Sequence, residues 1–176
     1  MNIVRVDELE IDEALDARLL ALLRESFPDF ALDRSYYKLP PRFRLLAMEG
    51  EELAGHVGID ARVVGTDEGP ARVFGVVDLC VAAAHRSKGV GTALLERAEA
   101  LAREARADFV VLFADDHRVY LRNGFVRAEN LCRWTMLHEH RTLGVKEAPL
   151  DDCLMVKAVG ERAWPRGTID LLGHVF

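Results

Sequence analysis

Hydrophobic residues recur at helical spacing in three parts of the chain. Between Glu8 and Phe27 apolar residues recur at helical spacing, which predicts an amphipathic helix that is capped by Asp7 or Asp12 and ends at Pro28. The segment Val90 to Ala105 has the same spacing and predicts a second helix. A short third helix is predicted from Asp116 to Arg122, because Asn123-Gly124 is a typical helix-stop signal.

Other apolar runs have the length and the turn-bounded setting of β-strands. The acidic turn at 49–52 joins two of them into a predicted antiparallel hairpin, and Thr66 to Pro70 is a second turn. Glu139 to Leu150 is a polar excursion, and Arg162 to Phe176 is a tail. The order of elements predicts an α/β fold of mixed α+β character, built on a mixed sheet. The predicted strands are Asn2 to Val6, Arg42 to Met48, Leu53 to Val64, Arg72 to Ala82, Phe109 to Phe113, Leu131 to His138 and Cys153 to Val159.

Length and composition favour an ordinary globular protein. A chain of 176 residues with 50% hydrophobic and 30% charged content fits one domain, 1–176, with 160–176 as a C-terminal tail. The net charge of −6 disfavours a nucleic-acid surface. Neither a membrane span nor an export signal is evident, and three cysteines without C-x-x-C spacing disfavour disulfides and zinc. We therefore expect a cytoplasmic protein without a metal.

A basic, glycine-containing turn lies between the predicted strand that ends near Ala82 and the predicted helix that begins at Val90. Its letters are Arg86-Ser87-Lys88-Gly89-Val90-Gly91. Backbone N–H groups at such a junction and the positive end of the helix dipole favour an anion, most often a phosphate. The P-loop pattern is absent, and the dinucleotide pattern fails because Leu94 stands where its third glycine belongs. A turn without a ligand remains the alternative.

This turn matches R-x-x-G-x-G, and two further segments extend the match. Leu79-Cys80-Val81 precedes it, and Tyr120-Leu121-Arg122-Asn123-Gly124-Phe125 follows the next strand as Y-x-x-x-G-F. In these motifs and their order the chain resembles the GCN5-related N-acetyltransferase (GNAT) superfamily over roughly 42–138. The resemblance implies a central, mostly antiparallel twisted sheet of six to seven strands flanked by about four helices. Ser87 departs from the family pattern, in which glycine is common at this position.

The same resemblance implies acetyl-coenzyme A (acetyl-CoA) as co-substrate. The implied cofactor-binding residues follow the strand end and the turn: Leu79, Cys80, Val81, Arg86, Ser87, Lys88, Gly89, Val90, Gly91 and Thr92. A weaker resemblance lies in the tail, where Ala163 to Asp170 is similar to the W-P-x-G-x-I-D ending of nodulation protein A. The aminoglycoside 2′-N-acetyltransferases also carry a tail that contains tryptophan. This second likeness bears on the branch rather than on the substrate.

Two residues are candidates for proton transfer in the implied reaction. Tyr120 stands at the family's general-acid position, and a phenol keeps its proton at neutral pH; the alternative is a core aromatic beside Phe125. Asp78 is a candidate general base, because a carboxylate inside an apolar strand usually reflects function or a specific partner. A rim carboxylate paired with Arg62 or Arg72 is the alternative for Asp78.

The resemblance therefore implies an N-acetyltransferase that moves an acetyl group to a primary amine of a small molecule by direct attack. A longer acyl donor, or a non-catalytic module that binds acyl-CoA, remains open. The aromatic segment Phe30 to Pro41, with Tyr36 and Tyr37, could line the acceptor cleft or simply pack as a surface loop. The Tyr pair and Trp164 could stack on substrate or pack in the core. Homodimerisation through the last strand or the tail is a further expectation.

Overall fold

Ten β-strands and three α-helices form in the described part of the chain; the computed structural model describes residues 1–29 and 33–176. The helices are α1 (Glu13–Ser26), α2 (Val90–Glu104) and α3 (Arg118–Arg122), with 3-10 turns at Glu8–Glu10 and Ala83–His85. The strands are β1 (Asn2–Asp7), β2 (Phe43–Glu49), β3 (Glu52–Thr66), β4 (Ala71–Val81), β5 (Phe109–Phe113), β6 (Val126–Arg127), β7 (Leu131–His138), β8 (Arg141–Pro149), β9 (Leu154–Ala158) and β10 (Thr168–Asp170).

The predicted fold class is confirmed, with more strands than expected. Pairs β4–β5 and β7–β10 are parallel, whereas β1–β2, β2–β3, β5–β9 and β7–β8 are antiparallel. Strands β2 and β3 form the antiparallel hairpin that the sequence predicts. The segment predicted as a polar excursion contains β8, and the predicted tail contains β10. An edge strand such as β8 is exposed along most of its length, so its sequence lacks the apolar alternation that marks a strand.

The first helix begins after Asp12, the second of its two predicted caps. The carboxylate of Asp12 accepts a hydrogen bond from the Leu15 N–H at 2.8 Å and caps α1. The residues before it form the separate 3-10 turn, in which Leu9 is fully exposed rather than in the core. A cap residue at position 12 thus overrides the apolar periodicity in front of it.

The chain divides into two compact units that share β3 and β4. The first unit is Met1–Asp60 with Val77–Ala98, in which the strand order is β1-β2-β3-β4. Its core joins α1 to the sheet through Leu19, Leu22, Leu23, Leu46, Leu53 and Cys80. The second unit is Ala61–Val76 with Glu99–Phe176, in which the order is β6-β9-β5-β4-β3-β10-β7-β8. Among the described residues, no helix combines the length and the apolar character that crossing a bilayer would need.

A buried amide fixes the tail of the second unit. Asn130, which is only 4% exposed, donates to the carbonyls of Pro165 at 3.2 Å and Gly167 at 2.9 Å. Its Oδ1 accepts from the Trp164 indole N–H at 2.6 Å. The Trp164 ring packs edge-on against Phe109, with 4.9 Å between ring centroids. Trp164 is therefore a packing residue, which is the second of its two predicted roles.

Asn130→Ala should lower the free energy of unfolding by about 3 kcal/mol, because it removes three hydrogen bonds and leaves the indole N–H without its acceptor. Urea denaturation followed by circular dichroism measures this change. The exposed neighbour Glu129 is the control, and Glu129→Ala should change stability by less than about 0.5 kcal/mol. Equal effects of the two substitutions would contradict the structural role of the amide.

Candidate active site

The turn between β4 and α2 contains two residues with left-handed backbone just before the start of a helix. Gly89 has φ 83°, and Ser87 has φ 61°, a left-handed value that explains why glycine suits this position. Helix α2 begins at once, and the Ala93 N–H donates to the Gly89 carbonyl at 3.0 Å. The first N–H groups of an α-helix have no carbonyl of their own helix to bind, which makes the start of a helix a favourable place for an anion.

Side-chain exposure separates the turn from the helix that follows it. Residues 86–89 are exposed, whereas the Val90 side chain is buried in the core. Gly55 of β3 lies under Val90, and a Cβ at Gly55 would come within 2.9 Å of the valine Cγ1. The glycine therefore lets the start of α2 pack closely on the strand. The turn can offer backbone N–H groups and the charges of Arg86 and Lys88, while Val90 anchors it.

Side-chain hydrogen bonds connect the region of the turn to β4 and α1. The Arg86 Nε donates to the Val81 carbonyl at 3.0 Å, so this guanidinium folds back onto the end of β4. Glu25 of α1 accepts from the Ala83 N–H at 2.8 Å. These contacts fix the position of the turn relative to β4 and α1 before any ligand binds.

His85 is an anchor of the turn that sequence reasoning missed. Its ring is buried, with Nδ1 3.0 Å from a Glu49 carboxylate oxygen and Nε2 3.1 Å from a Glu52 oxygen. A neutral imidazole has one N–H, so both contacts are hydrogen bonds only when the ring is protonated. The two glutamates flank the β2–β3 turn. The sequence signal for this anchoring role was the position of His85 directly before Arg86, at the start of the turn.

In the strand segment Leu79-Cys80-Val81, the side chain of Cys80 lies in the hydrophobic core. Cys80 is 5% exposed and packs in the α1 core, and its neighbours on either side are half-buried. Burial raises the pKa of the Cys80 thiol to about 12. The thiol is therefore protonated at neutral pH and is a poor nucleophile.

Asp78 sits at a backbone irregularity in β4, with φ 52°. Burial raises the pKa of its carboxyl above the ordinary value, while Arg44, Lys38 and a hydrogen bond from the Tyr37 backbone N–H act in the opposite direction. Arg62, one of the two arginines expected as an alternative partner, belongs to the second unit and donates to the His174 carbonyl at 2.7 Å. Asp78 is thus a carboxylate in a poorly solvated position between two cations.

Arg44 of β2 is fully buried and forms the centre of a polar network. Its Nε and Nη2 each lie 2.8 Å from an oxygen of the Glu8 carboxylate, a two-pronged ion pair. Its Nη1 donates to the Ser35 carbonyl at 2.7 Å and lies 3.3 Å from the Nε2 of His56. The other ring nitrogen of His56, Nδ1, is 3.0 Å from the Asp78 carbonyl oxygen. The network therefore runs from the first 3-10 turn to the backbone of Asp78.

Sequence reasoning missed Arg44 and His56, although the signal was present. Both are 0% exposed and stand among apolar residues of β2 and β3, as Asp78 does in β4. The rule that singles out a charged residue in an apolar strand applies equally to all three. Their mutual contacts depend on strand pairing, which places Leu46 of β2 opposite His56 and so brings Arg44 near it.

Tyr120 lies in the second unit, on the short helix α3. Its ring packs edge-on against Phe125, with 5.8 Å between centroids, and the side chain is half-buried. Lys157 stabilises the C-terminal end of α3. Its ammonium donates to the Asn123 carbonyl at 2.8 Å and forms a salt bridge with Glu99. Ring packing and a role for the hydroxyl are compatible here, since the packing uses only the ring.

The aromatic segment predicted as an acceptor loop is described from residue 33 onward; Phe30, Ala31 and Leu32 lie outside the described residues. The Arg34 guanidinium lies 5.5 Å from the centre of the Tyr36 ring. Tyr37 is 44% exposed, and Lys38 is half-buried. Burial lowers the pKa of the Lys38 ammonium, and the charge of Asp78 acts against this change.

Within residues 1–29 and 33–176, no group of three or more His, Cys, Asp or Glu side chains is arranged to hold a metal ion. The three cysteines are free thiols. The polar groups of the first unit described above are organised around Asp78 and the turn.

Comparison with known proteins identifies the family. The profile of the Acetyltransferase (GNAT) family matches residues 9–125. No curated protein matches the sequence significantly.

Solved structures share the fold at low sequence identity. The GNAT family N-acetyltransferase YhbS from Escherichia coli, in complex with CoA, is 20% identical, with TM-score 0.65 over 96% of this chain and 88% of that one. An aminoglycoside 6′-N-acetyltransferase complexed with coenzyme A is 16% identical, with TM-score 0.65 over 93% of this chain and 100% of that one. A GNAT family acetyltransferase from Brucella melitensis, in complex with acetyl-CoA, is 17% identical, with TM-score 0.60 over 96% and 94% of the two chains.

The family match covers more than half of the chain and includes α1, the β4–α2 turn and α3. The mixed, mostly antiparallel sheet agrees with the shared fold of these structures. The chain therefore belongs to the acetyltransferase (GNAT) family of N-acetyltransferase enzymes.

Proposed function

We propose that this protein transfers the acetyl group of acetyl-CoA to a primary amine of a small molecule, by direct attack in a ternary complex. The observation that carries the proposal is the segment 86–92, with exposed residues at 86–89, left-handed backbone at Ser87 and Gly89, and the start of α2. A diphosphate suits this arrangement, because it carries the charge and the oxygen acceptors that helix N-terminal N–H groups bind. Neighbouring structures that contain CoA or acetyl-CoA support the choice of ligand.

The thioester would extend from the turn along the end of β4, where Asp78 and Leu79 lie. An alkyl ammonium must lose a proton before it can attack, since such amines are mostly protonated at pH 7. Asp78 is our candidate for this base, acting directly or through one water. Its raised pKa makes it a better proton acceptor than an exposed aspartate.

The remaining steps need a donor for the departing sulfur. The amine nitrogen forms a bond to the carbonyl carbon and loses its excess proton through water as the carbon–sulfur bond breaks, and the thiolate takes a proton to leave as CoA thiol. We assign that proton to the Tyr120 hydroxyl. Direct attack is favoured over an acyl-enzyme because the nearby Cys80 thiol stays protonated.

The acceptor is proposed as a class, a small molecule with a primary amine. An acidic protein, with net charge −6, attracts cationic acceptors at long range, and aminoglycosides therefore belong in a test panel with polyamines, amino acids and peptide N-termini. Free cysteines fit a reducing compartment, and we propose that the reaction takes place in the cytoplasm.

Gly89→Asp should weaken acetyl-CoA binding by about tenfold or more, because it places a negative charge beside the proposed diphosphate site. Isothermal titration calorimetry with acetyl-CoA measures the change. Gly69→Asp is the matched control, since Gly69 also has positive φ and open space around its Cα, and lies in the β3–β4 turn. Equal affinity of the parent and both variants would contradict the proposed cofactor site, and with it the enzymatic function.

Tyr120→Phe should lower kcat by about 100-fold, since it removes the proposed proton donor while the ring keeps its packing on Phe125. Free-thiol release from acetyl-CoA, measured against the amine panel, gives the rate. The affinity for acetyl-CoA and the melting temperature should stay close to those of the parent. An unchanged kcat would remove Tyr120 from the mechanism, and CoA binding without turnover on any amine would favour the non-catalytic alternative.

Asp78→Asn should lower kcat by about 100-fold and abolish the acidic limb of the pH–rate profile. In the parent, activity falls as pH drops through the raised pKa of Asp78, because the base becomes protonated. The same raised pKa makes the ionised carboxylate destabilising at higher pH, since the folded state binds this proton more tightly than the unfolded state. The amide of the variant carries no charge, so the variant should melt at a higher temperature than the parent at pH 7. Full activity with an unchanged acidic limb would exclude Asp78 as the base.

A further inference from the structure

We propose that His56 is the residue that positions Asp78, and that Arg44 and Glu8 fix the ring tautomer through which it does so. The inference rests on the proposed role of Asp78 as the base. It concerns a buried chain of hydrogen bonds, Glu8 to Arg44 to His56 to the Asp78 backbone, that joins the proposed base to the N-terminal segment.

The need for a positioning residue comes from the backbone of Asp78. Its φ of 52° is left-handed, which is unfavourable for a non-glycine residue relative to ordinary strand geometry. A strand residue that relaxes to extended geometry turns its side chain to a different direction, since the facing of side chains follows the backbone. Something must hold this peptide in its irregular conformation. The hydrogen bond from His56 to the Asp78 carbonyl, 3.0 Å long, is in the right place to do so.

The contacts of the ring specify its protonation. A carbonyl oxygen only accepts, so Nδ1 of His56 must carry the hydrogen that bonds to Asp78. A guanidinium only donates, so Nε2, 3.3 Å from the Arg44 Nη1, must be the unprotonated nitrogen. Burial and the Arg44 charge lower the pKa of His56 to about 3, which agrees with a neutral ring throughout the physiological range. Arg44 thus acts on Asp78 through His56 by excluding the other tautomer.

Arg44 is itself held rigidly. It has no exposed surface, and Glu8 binds its Nε and Nη2 at 2.8 Å each. Its Nη1 also donates to the Ser35 carbonyl, and the Ser35 hydroxyl donates to Asp16 of α1. Two residues after Ser35, the Tyr37 N–H donates to the Asp78 carboxylate. The same guanidinium therefore supports both ends of Asp78: the carbonyl through His56, and the carboxylate through the segment that carries Tyr37.

Two substitutions of His56 test separately its hydrogen bond to the Asp78 carbonyl and its contact with Arg44. His56→Asn places an amide N–H where Nδ1 was, so the bond to the Asp78 carbonyl can form, while the contact with Arg44 is lost. His56→Gln reaches toward Nε2 and can accept from Arg44, but leaves the Asp78 carbonyl without its donor. Both variants remove the imidazole, so they share any loss that comes from ring packing alone.

The expected result is a lower kcat in the glutamine variant, by about tenfold or more, with a small effect in the asparagine variant. The KM for acetyl-CoA should not change in either, because none of the hydrogen bonds described for Glu8, Arg44 and His56 involves the turn at 86–89. In His56→Gln the acidic limb of the pH–rate profile should also move to lower pH. A carboxylate that leaves its buried position is better hydrated, and its pKa falls toward the ordinary value.

The measurements are free-thiol release over a pH series on the best amine of the panel, and thermal melting of each variant. His138→Gln, at an exposed position near the end of β7, is the control and should behave like the parent. A merely structural role for His56 predicts that both variants melt at lower temperature with the acidic limb unmoved. That result, or equal kcat in the glutamine and asparagine variants, overturns the proposal.

Asp78→Asn measured in parallel shows which proposal has failed. If Asp78→Asn is inactive while His56→Gln has parental kcat and an unmoved acidic limb, Asp78 is the base and His56 does not position it. If Asp78→Asn is fully active, the proposed base is wrong and the positioning role of His56 falls with it. If both variants show the expected losses, Asp78 acts as the base and His56 positions it.

Discussion

A guanidinium without solvent contact is the most demanding feature of the first unit. Arg44 cannot shed its charge, and the transfer of an ion from water to a protein interior costs several kcal/mol even after relaxation. That cost is tolerable only where nearly all its donors are satisfied in good geometry. The Glu8 carboxylate, the Ser35 carbonyl and the His56 ring supply the acceptors. Three separate parts of the chain are therefore obliged to adopt fixed positions around one side chain.

This constraint explains why the site beside β4 is built from polar contacts and not from apolar packing alone. Apolar side chains fill space but set no particular direction, whereas hydrogen bonds to a buried charge are directional and strong. Asp78 and Ser87 both have left-handed backbone, which ordinary side chains avoid. Each strained position stands beside a polar anchor, His56 for Asp78 and His85 with Arg86 for the turn. Four other non-glycine residues in the described part of the chain share this backbone, and Asp78 and Ser87 are the two that belong to the proposed site.

The parts that the sequence predicts are those whose signal is local. Helix α2, strand β5 and the β2–β3 hairpin follow from apolar spacing and turn residues, and the β4–α2 turn follows from its letters. Strand β10 has three residues, and β8 has no apolar side to reveal it, so pairing with β7 decides both. For the site, an aspartate in an apolar strand was evident, but its charged partners were not. Arg44 lies on β2 and Lys38 in the preceding segment, and only the folded chain brings them to Asp78.

The tail motif illustrates how a resemblance in letters can have a structural cause. Trp164 is bound to Asn130 through its indole, and the carbonyls of Pro165 and Gly167 bind the same amide. Gly167 has φ 85°, and a Cβ there would overlap the Asp67 carboxylate, which accepts from the next N–H in the chain at 3.0 Å. Ile169 is buried at 1% exposure in β10. Packing and hydrogen bonding account for each of these residues, so the motif has a structural role at the end of the sheet. In the proposed reaction, the length of the acyl donor would instead depend on the residues that line the thioester site near Asp78 and Leu79.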